Sequence, residues 1–101
     1  MATDQSDHNT VALSGPVTLY ESSGVRDTLV AALAEGKNLR INLEASGPWD
    51  VAGMQVLIAA VASGRKAALD VRFMNVPGVC REVAERSGLF TWLTGVTDSF
   101  A

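Results

Sequence analysis

The segment Val51–Ser63, VAGMQVLIAAVAS, contains no charged side chain. At 100° per residue, Val51, Met54, Leu57, Ile58 and Val61 fall on one face of a helix. That face is assigned to the core. The opposite face, Ala52, Gln55, Val56, Ala59 and Ser63, is small, mostly apolar and also uncharged. A surface helix normally places Lys or Glu there, and a helix apolar nearly all round is covered on both sides. The chain must therefore supply a core beneath this helix. Its outer face must be covered either by the C-terminal segment or by another protein, because exposed apolar area of this kind marks interaction sites.

The flanking pattern supplies the core. Leu39, Ile41 and Leu43 alternate with polar residues, the mark of a half-buried strand. Ala68–Met74 repeats the pattern with Leu69, Val71 and Phe73 on one face. Val11–Leu13 and Val17–Tyr20 predict two short strands around the turn Ser14-Gly15-Pro16. Ser22 and Ser23 offer hydroxyl caps to a first helix bearing Val25, Leu29, Ala32 and Leu33, which Gly36 stops. Glu44–Pro48 predicts a loop, Asp50 caps the uncharged second helix, and Gly64 ends it. Pro77 opens a third helix with Val79 or Cys80, Val83 and Ala84 inside, and Gly88 ends it. Leu89-Phe90 and Trp92-Leu93 form a last apolar turn. The order β-β-α-β-α-β-α calls for parallel strand pairs with helices packed on them.

Charge and composition narrow the function. The net charge is −3 and the few Lys and Arg are scattered, which argues against nucleic acid and against anionic lipid as partners. No apolar run reaches the roughly 18 residues of a spanning helix, so no membrane insertion is expected. The polar start MATDQSDHNT has no apolar core of the signal-peptide kind. A cytoplasmic protein is the expectation. Residues 1–9 are expected as a disordered tail and 10–101 as one domain, a length suited to one modest core.

The residues of catalysis are sparse. The lone histidine, His8, lies in the expected tail, which removes Ser-His and Cys-His nucleophile pairs. No phosphate-cradling glycine loop occurs. Asp50, Asp70, Glu82 and Glu85 are dispersed and read as caps or solvated charges. Cys80 is the single cysteine and reads as a small core residue. No enzymatic activity, catalytic residue, metal or cofactor is expected. Nucleotide binding through backbone N–H groups leaves little sequence trace and stays as a lesser alternative.

Leu39–Leu43, the run Trp49-Asp50-Val51-Ala52-Gly53-Met54-Gln55-Val56-Leu57, then Leu69–Asn75 and Pro77–Leu89 together resemble the STAS domain, over about residues 10–97. That family includes bacterial anti-sigma factor antagonists, small proteins of some chemotaxis operons and the cytoplasmic subunit of lipid-transport ABC systems. The resemblance implies a four-stranded mixed sheet with a short N-terminal strand pair, helices mainly on one face and a short C-terminal helix. In the family, a Ser or Thr follows the aspartate at the helix start, and a partner kinase phosphorylates it to break the contact. Asp50 matches that aspartate, Val51 the phosphosite, Gly53 the glycine and Met54 the usual leucine. Val51 has no hydroxyl, so the switch cannot operate there. Ser46, Ser22 and Ser23 read as turn or cap residues rather than replacements.

The resemblance thus implies a non-enzymatic protein–protein interaction module, a regulator like the anti-sigma factor antagonists, docking a kinase-type anti-sigma factor or a signalling assembly. The contact surface would be Asp50, Val51, Ala52, Gln55, Val56 and Ala59, with Gly53 kept bare for close approach by the partner. The alternative is an accessory subunit that binds the ATPase of an ABC lipid transporter with the same face.

Overall fold

The computed structural model describes residues 8–101. Its elements are β1 (His8–Ala12), β2 (Gly15–Val17), α1 (Ser22–Leu33), β3 (Asn38–Asn42), β4 (Ser46–Trp49), α2 (Val51–Lys66), β5 (Val71–Met74), α3 (Gly78–Arg86) and α4 (Phe90–Gly95). β1, β3 and β5 form one sheet in the order β1-β3-β5, and both pairings are parallel. β2 and β4 form a second, two-stranded parallel pair. Parallel neighbours need crossover connections, and α1 and α2 provide them. The order of elements is the one read from the sequence, with β4 added.

The alternating strand is the centre of the core. Leu39, Ile41 and Leu43 are fully buried, as are Phe73 of β5, Met54 and Leu57 of α2, Cys80 and Ala84 of α3, and Leu93 of α4. Leu29 and Ala32 of α1 close one side. Burying side chains of this size contributes about 1.5–3 kcal/mol each against a similar entropic cost of ordering the chain.

Several expectations change in detail. The two N-terminal strands do not pair with each other. β1 lies beside β3 and β2 beside β4, so the expected four-stranded mixed sheet is a three-stranded parallel sheet plus a parallel pair. Residues 1–7 of the expected tail lie outside the described residues. His8 and Asn9, also assigned to it, pair with Asn38 and Leu39 as the start of β1. The turn-forming segment before Asp50 is strand β4. Ser46 is buried there, donating to the Leu43 carbonyl at 2.6 Å and accepting Trp49 Nε1–H at 2.9 Å. Glu21, not Ser22 or Ser23, stands at the N-cap of α1. Val79 is exposed, and Cys80 takes its place in the core.

Gly64 does not end α2, which runs on to Lys66. It is buried, and a Cβ there would lie 2.5 Å from Val71 Cγ2, so its bareness admits β5. Gly53 serves the same end at the start of the helix. A Cβ on Gly53 would run into the Val17 carbonyl oxygen and sit 3.0 Å from the Trp49 ring. The close approach expected of a partner at Gly53 is made by the protein's own β2. In an open helix Gly→Ala gains about 1 kcal/mol. Here overpacking reverses the sign, and Gly53→Ala should lose about 1–3 kcal/mol in urea unfolding. A stabilised Gly53→Ala protein would show that α2 does not rest on β2.

Candidate interaction site at the start of the second helix

Asp50 has extended backbone angles, so its side chain can turn back over the first turn of α2. Oδ1 accepts Gly53 N–H at 3.0 Å and Oδ2 accepts Leu19 N–H at 2.9 Å. One carboxylate thus caps the helix and ties the β2–α1 turn to it. The Gly53 N–H, then the Leu19 N–H, hold the Asp50 carboxyl below its ordinary pKa.

The turn is braced from its other side. Glu21 Oε1 accepts the Thr18 N–H at 3.0 Å and the Thr18 hydroxyl. The Ser22 hydroxyl donates to the Leu19 carbonyl at 3.0 Å. These bonds occupy the polar groups and leave the apolar ones outside: Leu19 is 66% exposed and Tyr20 91%. Neither was singled out from sequence, because Val17–Tyr20 read as one strand. β2 ends at Val17, and the available signal was Thr18 followed three residues later by Glu21, a capping-box-like pair.

The anticipated contact residues divide into two groups. Val51, Gln55 and Ala59 are exposed, whereas Asp50, Ala52 and Val56 are half-buried; Val56 packs against the core, and it and Ala59 line the seam with α1. Val51 was assigned to the core face but is 49% exposed. As the first helical residue after the cap it overhangs the edge of the core, beside Val83 and Arg86 of α3. The actual core stripe is Gly53, Met54, Leu57, Ala60, Val61 and Gly64. Between α1 and α2 lies an apolar cavity of about 70 Å³ bounded by Leu29, Val30, Val56 and Ala59. The C-terminal segment does not cover α2; it pairs with the β5 strand and its end, through Phe73–Thr97 and Val76–Phe100.

Other groups are structural. The Cys80 thiol lies 3.9 Å from Met54 Sδ, fully buried, and desolvation pushes its pKa to about 12, far from a reactive thiolate. Among the described residues no group of His, Cys, Asp and Glu is placed to hold a metal, and no helix is long and apolar enough to cross a membrane.

A family model described as "Mlab, STAS domain" matches residues 1–95. The chain belongs to the STAS domain family. Among solved structures it is similar to a sulfate transporter family protein from Wolinella succinogenes, with a TM-score of 0.71 at 19% identity. The alignment covers 90% of this chain and 75% of that one. At this identity the likeness concerns the fold. No curated protein matches the chain.

The double role of Asp50 gives a pH-dependent test. Asn caps a helix about as well as Asp but has a single acceptor oxygen, so Asp50→Asn removes the charge together with one of the two accepted bonds, as protonation does. The folded pKa of Asp50 is lowered, so its contribution is present above the unfolded carboxylate pKa and lost as pH falls through the folded value. Urea unfolding should show wild type more stable than Asp50→Asn near neutral pH. The two should converge as pH falls below the ordinary carboxylate range and through the lowered folded pKa. A gap unchanged across that range would mean that the charge does not contribute.

Proposed function

We propose that the protein is a non-catalytic docking module that grips a partner protein with the outward face of α2 and does so without a phosphate switch at the helix start. The observation that carries this reading is the exposed, uncharged face formed by Val51, Ala52, Gln55 and Ala59, with Asp50 fixed at its edge. Apolar area gives a partner contact energy, and the fixed carboxylate gives it register. The Asp50-capped helix start is the part shared with anti-sigma factor antagonists. The regulator reading therefore has a kinase-type anti-sigma factor or a signalling assembly as its partner, in the cytoplasm.

A second reading is favoured by Val51. A half-exposed valine where relatives carry a hydroxyl suits a contact that stays made. That is the need of an accessory subunit bound to the ATPase of an ABC lipid transporter. Both readings use the same face, so one experiment serves them. Affinity capture from lysate with wild type and Ala59→Arg in parallel should recover a partner with wild type only, and its identity, kinase or ABC ATPase, separates the readings. Ala59 is exposed, so the variant should keep its circular dichroism and melting temperature. Capture that survives Ala59→Arg puts the interface elsewhere.

Incubation with a captured kinase and ATP should leave residues 48–58 unmodified, since that span holds no Ser, Thr or Tyr. Ser46 should stay unmodified too, as its hydroxyl is buried between Leu43 and Trp49. Phosphate on Ser46 in mass spectrometry would restore the switch in displaced form. Micromolar binding of GTP or ATP in calorimetry would replace docking by nucleotide recognition as the leading function.

A further inference from the structure

Residues 97–101 form an extended strap along β5 and the residues that follow it, and they lie beyond the family match, which ends at residue 95. The strap is joined to this edge by strand-like hydrogen bonds. Asp98 N–H donates to the Phe73 carbonyl at 2.7 Å and Ala101 N–H to the Val76 carbonyl at 2.9 Å. In return Val76 N–H donates to the Ser99 carbonyl at 3.1 Å and Asn75 N–H to the Ser99 hydroxyl at 2.9 Å. Phe73 N–H is taken by Val96, the residue at which the strap begins.

The side chains that hold the strap are charged or aromatic and lie near the surface. Asp98 accepts from Arg72 Nε at 2.8 Å and lies 3.6 Å from Arg40 Nε. The Arg81 guanidinium sits 5.9 Å from the centre of the Phe100 ring and 5.5 Å from that of Phe90. Thr97 is the strap's one buried residue; Asp98, Ser99, Phe100 and Ala101 are all exposed. Apart from Thr97 and the Phe100 ring, which lies 6.4 Å from that of Phe90, the strap is held by screened ion pairs and edge hydrogen bonds, and a segment held in this way opens at lower free energy than the core. What it leaves is a strand edge with free N–H and C=O groups, flanked by two guanidiniums and an aromatic shelf. An edge of that kind is a template for an added strand.

We propose that the strap is a detachable occupant of the β5 edge, and that this edge is a second binding site for an extended peptide of a partner protein. The strap itself defines the ligand chemistry. The peptide carries a carboxylate where Asp98 stands, to meet Arg72 and Arg40, and an aromatic ring two residues later, to meet Arg81 and Phe90. Backbone pairing gives the affinity and these two side chains give the selection. The site shares no residue with the α2 face. A partner held on α2 can therefore use this edge as an additional contact, and the strap competes with it.

Two measurements on the full chain test this. In native-state hydrogen exchange, the amides of Val76, Asp98 and Ala101 should exchange by a local opening, at lower free energy than Leu39 and Leu43 in the sheet interior. Asp98→Asn should speed that exchange roughly fivefold to tenfold, with Leu39 and Leu43 unchanged. Exchange of the strap amides only together with the interior would make the strap an integral strand and overturn the proposal. A labelled synthetic peptide of the sequence VTDSFA is then titrated by fluorescence anisotropy. It should bind Asp98→Asn up to about fivefold to tenfold more tightly than wild type, whose own strap competes at high effective concentration. The peptide VTNSFA should bind Asp98→Asn roughly fivefold to tenfold more weakly than VTDSFA does. Equal binding of the two peptides, or none by VTDSFA, would overturn the proposal. Ser99→Ala, which loses only the two hydroxyl bonds to Asn75, repeats the test should Asp98→Asn fail to fold.

Discussion

The contact between Gly53 and the Val17 carbonyl sets the position of the second helix, and the proposed docking surface depends on it. With no side chain at Gly53, α2 descends onto β2 until backbone meets backbone. At that distance Met54, Leu57 and Val61 reach the sheet and are buried. The same distance brings the Asp50 carboxylate within reach of Leu19 N–H. The turn after β2 is then fixed to the helix start, with Leu19 and Tyr20 turned outward. A larger residue at Gly53 would shift the core packing and the surface turn together.

How far the sequence disclosed this can be seen in particular residues. Leu39, Ile41 and Leu43 declared a strand because alternate burial leaves an alternate pattern, and all three are buried. Pairing partners were not legible. β1 beside β3 and β2 beside β4 join segments about 30 residues apart, and nothing local encodes such neighbours. β4 was hidden by its own residues. Ser46, Gly47 and Pro48 are turn formers, and their strand pairing depends on β2 lying alongside. At the candidate site the Asp50 cap was legible, since a short acidic side chain before an aliphatic run has one common use. The outward turn of Val51 was not, because helical phase alone does not say where the core ends.

The two edges of the molecule's chemistry contrast. The α2 face is apolar and uncharged and is set on the fully buried residues beneath it, so it has one conformation to offer. The β5 edge is closed by Asp98, Arg72, Arg40 and the Arg81–Phe100 contact, all near the surface. Contacts of that kind weaken with salt and exchange partners readily, whereas buried aliphatic packing does neither. If both proposed surfaces bind, the first suits a constant grip and the second an adjustable one.

Valine at position 51 changes how a contact of this family can be controlled. A phosphate at a helix start adds about −1.5 to −2 charges, enough to repel a matched partner surface while the helix dipole tolerates it. Val51 instead adds apolar area beside a carboxylate already satisfied by Gly53 and Leu19 N–H. On the proposed docking reading the affinity of the α2 face is set by area and shape, with no phosphate at position 51 to change it. On that reading occupancy responds to the amount of partner or to a competing or additional contact. Such a face suits a partner that is to stay bound, and control of it would enter at residues other than Val51.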